Sequence, residues 1–146
     1  MKIKKIFLKT GSITLDKDTL SENIADDVLD QIQDKSGIFN RYVCSDSEDS
    51  FQLSKDLIIT HDLQNKIMQS RLIIVVSENV RQIIPPPSSF IFSEFKKINT
   101  PIIDLNRGCS GFVEALTIVD TYFFSKKIDT ACIICADNYS KYINSK

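Results

Sequence analysis

The stretch "PIIDLNRGCSGFVEALTIVDTYFFSKKIDTACIICAD", Pro101 to Asp137, decides the fold. It opens on a short apolar run, "PIIDLN", too brief for a helix and suited to a buried strand. A glycine-flanked cysteine follows, and then a strongly apolar segment. Phe112, Ala115, Leu116, Val119, Phe123 and Phe124 leave that segment little polar face, so it predicts a helix buried on most sides. "DTACIICAD" closes the stretch as a second buried strand. Two buried strands joined by a helix require a crossover connection, which makes them parallel.

Working upstream, "RLIIVVSE" reads as another buried strand, continuous and β-branched. "VRQIIPPPSSF" predicts a loop, because three successive prolines suit neither a helix nor a central strand. "SSFIFSEFKKI" predicts a helix capped by Ser88 or Ser89. "SFQLSKDLIITHDLQNKI" fits one more helix, and the acidic "SDSEDS" before it fits a solvated loop that supplies its N-cap. "SENIADDVLDQI" has Ile24, Val28, Leu29 and Ile32 at helical spacing, with Ser21 as its cap and Gly37 as its stop. "KIKKIFLKTGSIT" begins as a strand and breaks at Gly11–Ser12, "SGIFNRYVC" is a short extended segment, and "NYSKYINSK" is a polar tail that can begin a helix. The predicted class is α/β: a mostly parallel mixed sheet covered by helices on both faces. No repeat, low-complexity segment or linker divides the chain, so residues 1–146 read as a single domain.

Composition narrows the function. The chain has 146 residues, 42% hydrophobic and 25% charged, which suits a globular domain with a real core. Its net charge of -1 and the lack of a basic face argue against a nucleic-acid partner. The longest apolar run, "LIIVV", is far too short to span a bilayer. The lysines of "MKIKKIFLK" flank a strand rather than a signal-peptide core. The expected location is the cytoplasm, where Cys44, Cys109, Cys132 and Cys135 stay reduced.

Cys132 and Cys135 form a C-x-x-C, which raises a redox or zinc reading. Residues three apart on a strand point to opposite faces, and no second cysteine or histidine pair exists to complete a site. Both therefore read as buried structural thiols, and no metal is expected. Cys109 has two readings, an inert core thiol or a nucleophile. At a helix N-terminus, unpaired N–H groups and the helix dipole favour an anion, which favours a thiolate. Gly108 and Gly111 leave room for a substrate, and the nucleophile's own N–H can serve an oxyanion. A thiolate attacks a thioester carbonyl readily. The only histidine, His61, lies in the helix before "RLIIVV" and reads as a surface or half-buried residue, so a complete Cys–His pair is not expected.

These residues resemble a family. "NRGCSGFVEALTIVDTYFFSKKIDTACIICADNYS" resembles the active-site segment of the ketoacyl-acyl carrier protein synthase III enzymes, in the thiolase-like condensing superfamily. "QIQDKSGIFNRYV" is similar to the segment in which that family places Thr-Gly-Ile between basic residues, and "RLIIVVSENVRQIIPPPSSF" to its buried strand and Pro-Ser loop. The resemblance implies a subunit of two similar halves, of which this chain looks like the N-terminal one. It implies that Cys109 accepts an acyl group from a thioester, with Gly108, Ser110 and Gly111 forming the turn and oxyanion donors, and that no cofactor is needed. In the family, a malonyl-type extender on a carrier protein is then decarboxylated and condensed onto that acyl group. The histidine and asparagine for that step belong to the second half, and no segment here matches them.

Lys35, Gln31 and Arg41 are the positions matched to substrate or pantetheine contacts. Gln31 stands where bacterial members have a tryptophan flanking the coenzyme A adenine, and Lys35 where an arginine is usual. The donor is left open between acyl-coenzyme A and acyl carrier protein, and the pathway between fatty acid biosynthesis and a specialised metabolite. The implied partner is a second copy or a second subunit supplying the missing half, with "TACIICAD" as the candidate dimer interface. The other reading is a non-catalytic or truncated half-subunit that packs against a condensing enzyme.

Overall fold

The structure, a computed structural model, describes residues 1–22, 24–78, 84–95 and 98–142. Its centre is a three-stranded parallel sheet in the order β4 (Ile102–Leu105), β3 (Ile73–Val76), β5 (Cys132–Cys135). Ile73 pairs with Ile102 on one side and Cys132 on the other, and Val76 with Leu105 and Cys135. All three strands therefore end along one edge. The middle strand is the most buried, with Ile73, Ile74 and Val75 fully shielded. Its continuous β-branched run suits a strand covered on both faces.

Alternation of side chains splits the core in two. Ile73 and Val75 face Ile58 of α3 (Ser50–Thr60), Ile67 of α4 (Gln64–Gln69) and Ile91 of α5 (Pro87–Ile91). Leu72, Ile74 and Val76 face Ala115 and Val119 of α6 (Gly111–Phe124). Helices thus cover both faces of a parallel sheet, as expected. The antiparallel component is a separate two-stranded sheet, β1 (Ile13–Leu15) with β2 (Arg41–Val43), in which Leu15 pairs with Arg41. Between these two strands lie α1 (Lys17–Ser21) and α2 (Asp26–Ser36).

Several local expectations hold. Gly37 ends α2 in a left-handed conformation (φ 68°), and its N–H reaches Gln33 O at 2.8 Å. Asp49 caps α3, accepting from the N–H groups of Phe51 (2.9 Å) and Gln52 (2.8 Å).

Others are corrected. The opening strand is not formed: residues 1–11 hold no regular element, and Ile6 and Leu8 are exposed while Phe7 packs inward. A strand needs a hydrogen-bonding neighbour, and none of the described strands pairs with this segment. Ser21 does not cap α2. It ends α1, bonding back to Asp18 O at 2.8 Å, while Asp16 caps α1 and Ala25 precedes α2 without a side-chain cap. The helix expected over Ser50–Ile67 breaks at His61–Asp62, where Asp62 adopts φ 48°, a value the right-handed helix cannot hold.

Pro87, read as loop, opens α5 at its first position, where a missing N–H costs nothing. Ser88 and Ser89 lie inside that helix rather than capping it, and it stops at Ile91. The Val80–Ile83 part of the expected loop lies outside the described residues, as do Ile143–Lys146 of the expected tail. The tail starts as a 3-10 turn over Tyr139–Lys141. α6 is buried on one face only: Phe112, Val113 and Phe124 are exposed. β5 is an edge strand of the described sheet. Cys132 is largely buried, and its burial pushes the thiol up to about 11. Cys135 is exposed rather than buried.

Candidate active site

The C-terminal edge of a parallel sheet, where strands hand over to helices, is the usual place for a ligand crevice in α/β folds. Here three chain segments meet at that edge. β3 continues into Ser77–Glu78, β4 into Asn106–Ser110, and β5 into Ala136–Asn138. The backbone locks them together: Ser77 N–H donates to Leu105 O (3.0 Å) and Ala136 N–H to Val76 O (2.9 Å).

Cys109 sits in the segment after β4, exposed, two residues before α6 begins. The Gly111 N–H donates to Gly108 O at 2.8 Å and closes the turn that carries it. Both flanking glycines answer to close approach rather than to a special backbone angle. A Cβ on Gly111 would run into the Val76 side chain and lie 3.2 Å from Arg107 Cβ, so the start of α6 sits directly on β3. A Cβ on Gly108 would run into the Glu78 carboxylate.

Ser110 has helical backbone angles and makes no side-chain cap; its hydroxyl donates to Glu114 Oε1 at 3.0 Å. Arg107 Nε donates to Glu114 Oε2 at 3.1 Å. Glu114, in the first turn of α6, therefore braces the residues on both sides of Cys109. Its negative charge also complements the N-terminal end of the helix dipole. The first N–H groups of a helix have no intrahelical acceptor, so the turn offers donors to an anion or a developing oxyanion beside an accessible sulfur.

Two further contacts fix the surroundings. Asp104 on β4 accepts from the Ser88 N–H (2.8 Å) and the Ser88 hydroxyl (2.6 Å), which ties α5 to the strand that leads into the cysteine turn. Asp137 accepts from the Glu78 N–H at 2.8 Å, joining the ends of β3 and β5. Asp104, Glu78 and Asp137 were not singled out by the sequence reading. The available signal was an acid at or just after the end of each apolar strand, in "IIDL", "VVSE" and "CAD".

The matched substrate positions lie elsewhere. Gln31 and Lys35 are exposed and four residues apart on α2, so they share a helix face, while Arg41 is half-buried on β2. Among the described residues, no hydrogen bond or ion pair links any of these three to the cysteine turn. His61 is exposed at the end of α3, with its ring 5.1 Å from that of Phe7. The described residues contain no group of three His, Cys, Asp or Glu side chains able to hold a metal ion. None of their helices is long and apolar enough to cross a membrane.

Residues 103–146 match the family model for 3-oxoacyl-[acyl-carrier-protein (ACP)] synthase III, and this range contains Cys109 and all of α6 and β5. The chain is similar in sequence to the 3-oxoacyl-[acyl-carrier-protein] synthase III enzymes. The beta-ketoacyl-[acyl-carrier-protein] synthase III of Wolbachia pipientis subsp. Culex pipiens (strain wPip) is 28% identical over 153 residues, covering 97% of this chain and 46% of that protein. The synthase III of Prochlorococcus marinus (strain NATL2A) is 27% identical over 144 residues, covering 94% and 42%.

Solved structures agree on the fold. The 3-oxoacyl-[acyl-carrier-protein] synthase III from Aquifex aeolicus VF5 superposes with a TM-score of 0.72 at 20% identity, over 93% of this chain and 44% of that one. A second 3-oxoacyl-(acyl-carrier-protein) synthase III gives 0.76 at 20% identity, over 94% and 42%. The fold is thus thiolase-like. The chain spans less than half the length of the synthase III relatives it matches.

Proposed function

We propose that this chain is the N-terminal half of a synthase III-type condensing enzyme, a single domain over residues 1–146 whose Cys109 accepts an acyl group from a thioester. The carrying observation is an exposed cysteine in the turn between parallel β4 and the N-terminus of α6, inside the segment matched to the family. In the loading step, the Cys109 sulfur bonds to the acyl carbonyl carbon and the donor's carbon–sulfur bond breaks. The donor leaves as a thiol, taking up the proton that the cysteine gave up. Gly108, Ser110 and Gly111 shape the turn, and N–H groups at the start of α6 receive the oxyanion. Acyl carrier protein or acyl-coenzyme A is the donor, with Lys35, Gln31 and Arg41 as contacts to it.

A second half, carried by the same gene product or by another polypeptide, supplies the histidine and asparagine and completes the site for decarboxylative condensation. It covers the exposed apolar face of α6, and the edge strand β5 is the interface for dimerisation. The location is cytoplasmic. Mass spectrometry after incubation with acyl-coenzyme A or acyl carrier protein tests the reading. A thioester adduct on Cys109, lost in Cys109→Ala, is expected. No adduct, with or without a second half present, would leave a non-catalytic half-subunit.

A further inference from the structure

Glu78 is placed with unusual constraint for a residue in a strand-end segment. The residue before it is tied to β4 through Ser77 N–H and Leu105 O, and its own N–H is tied to Asp137 Oδ1 past β5. Its backbone is thereby held between both neighbouring strands. From there the carboxylate lies against Gly108, in the space a Cβ at that position would need. Gly108 is the residue before Cys109. Among the described residues the Glu78 carboxylate makes no hydrogen bond or ion pair. The cation of the turn itself, Arg107, is engaged by Glu114. Arg107 and Glu114 cancel, so among the described residues of the turn the Glu78 carboxylate leaves a net negative charge.

We propose that Glu78 is a charge filter for the cysteine turn: it disfavours acyl groups that carry a negative charge close to their reacting carbonyl, and leaves neutral ones to load Cys109. This rests on the acyl-accepting role given to Cys109 above. The loading step exchanges one carbon–sulfur bond for another with no change in redox state. An acyl group ending in a carboxylate would bring a second like charge within several ångströms of Glu78 at a partly solvated site. Repulsion of that kind is worth a factor of about three to ten in rate.

Two small alkylating reagents read the filter without any acyl transfer. Iodoacetamide is neutral and iodoacetate is anionic, and the same thiolate attacks the CH2 carbon of each and displaces iodide. The ratio of their rates at Cys109, followed by peptide mass spectrometry at one pH, therefore cancels the thiolate fraction. The full chain is compared with Glu78→Gln, which keeps the size and the backbone N–H contact to Asp137. The wild-type ratio is expected to favour iodoacetamide about three- to tenfold more than the variant's does, and 0.5 M salt should shrink the excess. Glu78→Asp, which retains the charge, should stay on the wild-type side. Equal ratios in the wild type and Glu78→Gln overturn the proposal.

Acetyl and succinyl thioesters of one small thiol then separate the filter from the reaction. If alkylation shows the filter but neither thioester loads Cys109, with or without the second half, the acyl-transfer reading fails and the filter stands. If both thioesters load in the same proportion in the wild type and Glu78→Gln, the filter fails and acyl transfer stands.

Discussion

Asp104 holds Ser88 twice, accepting its N–H at 2.8 Å and its hydroxyl at 2.6 Å. Strand β4, which delivers the chain to Cys109, is thereby stitched to the helix that opens at Pro87. Ser88 is itself buried, so removing the carboxylate leaves two shielded donors without an acceptor. Asp104→Ala should cost about 1–3 kcal/mol of stability. Asp104→Asn, which keeps one acceptor, should cost less. Urea unfolding of the two variants checks the order, and equal midpoints for wild type and Asp104→Ala would count against the clamp.

Gly111 fixes how closely α6 lies on the sheet, because a Cβ there has to displace the Val76 side chain on the central strand. Gly111→Ala should destabilise the chain by about 1–3 kcal/mol, the range for adding a methyl group to a packed interior. The cause is a steric clash with one partner, so the substitution should couple to Val76. In the Val76→Ala background, which has space for the added methyl group, Gly111→Ala should cost measurably less. A double-mutant cycle by thermal or urea unfolding reads the coupling, and strict additivity would point to a backbone effect instead.

Glu48 should give the chain an acid-sensitive clasp. Its carboxylate accepts from the Ser45 N–H (2.9 Å) and from the N–H (3.1 Å) and hydroxyl (2.8 Å) of Ser12, which pins the segment before β1 to the loop before α3. These donors stabilise the ionised form and lower the pKa from 4.5 to about 2, the backbone N–H of Ser45 contributing most. A carboxyl depressed on folding adds stability above its unfolded pKa and loses it as pH falls through the folded one. The loss attributable to Glu48 should therefore spread from about pH 4.5 down to about pH 2. Thermal midpoints measured across that window should fall less steeply in Glu48→Gln than in the wild type.

The sequence made some of this legible, for identifiable reasons. The βαβ core from Arg71 to Asp137 was readable because burial on both faces leaves a short, continuous, β-branched run such as "LIIVV" with little other interpretation. Locally set caps were readable too, as with the Asp49 carboxylate and the left-handed backbone of Gly37. What failed depended on competing local partners or on surfaces outside the local sequence. Ser21 lost its expected place because Asp16 caps an earlier helix that ends at Ser21, and α2 starts only after Ala25. Ile3–Leu8 has the composition of a strand, but pairing requires a neighbour that composition does not supply. Cys109 was legible as a turn residue. Glu78 was not, because its approach to Gly108 depends on strands ordered β4-β3-β5, a register no local pattern carries.

The outer face of α6 carries the last prediction. Val113 is 62% exposed and Phe124 90% exposed, on a helix whose sequence has the apolar character of a buried one. Apolar surface left in water favours association, and a partner of matching apolar character would cover it. In the proposed enzyme that partner is the second half of the fold. The chain alone should bind a hydrophobic dye and run above its monomer mass in light scattering. Val113→Lys combined with Phe124→Lys should lower both signals without lowering the unfolding midpoint, because neither side chain belongs to the buried core. Adding a polypeptide that carries the second half should quench the dye on the wild type and fail to do so on the double variant. If the double variant is recruited as well as the wild type, the covering surface lies elsewhere on the chain.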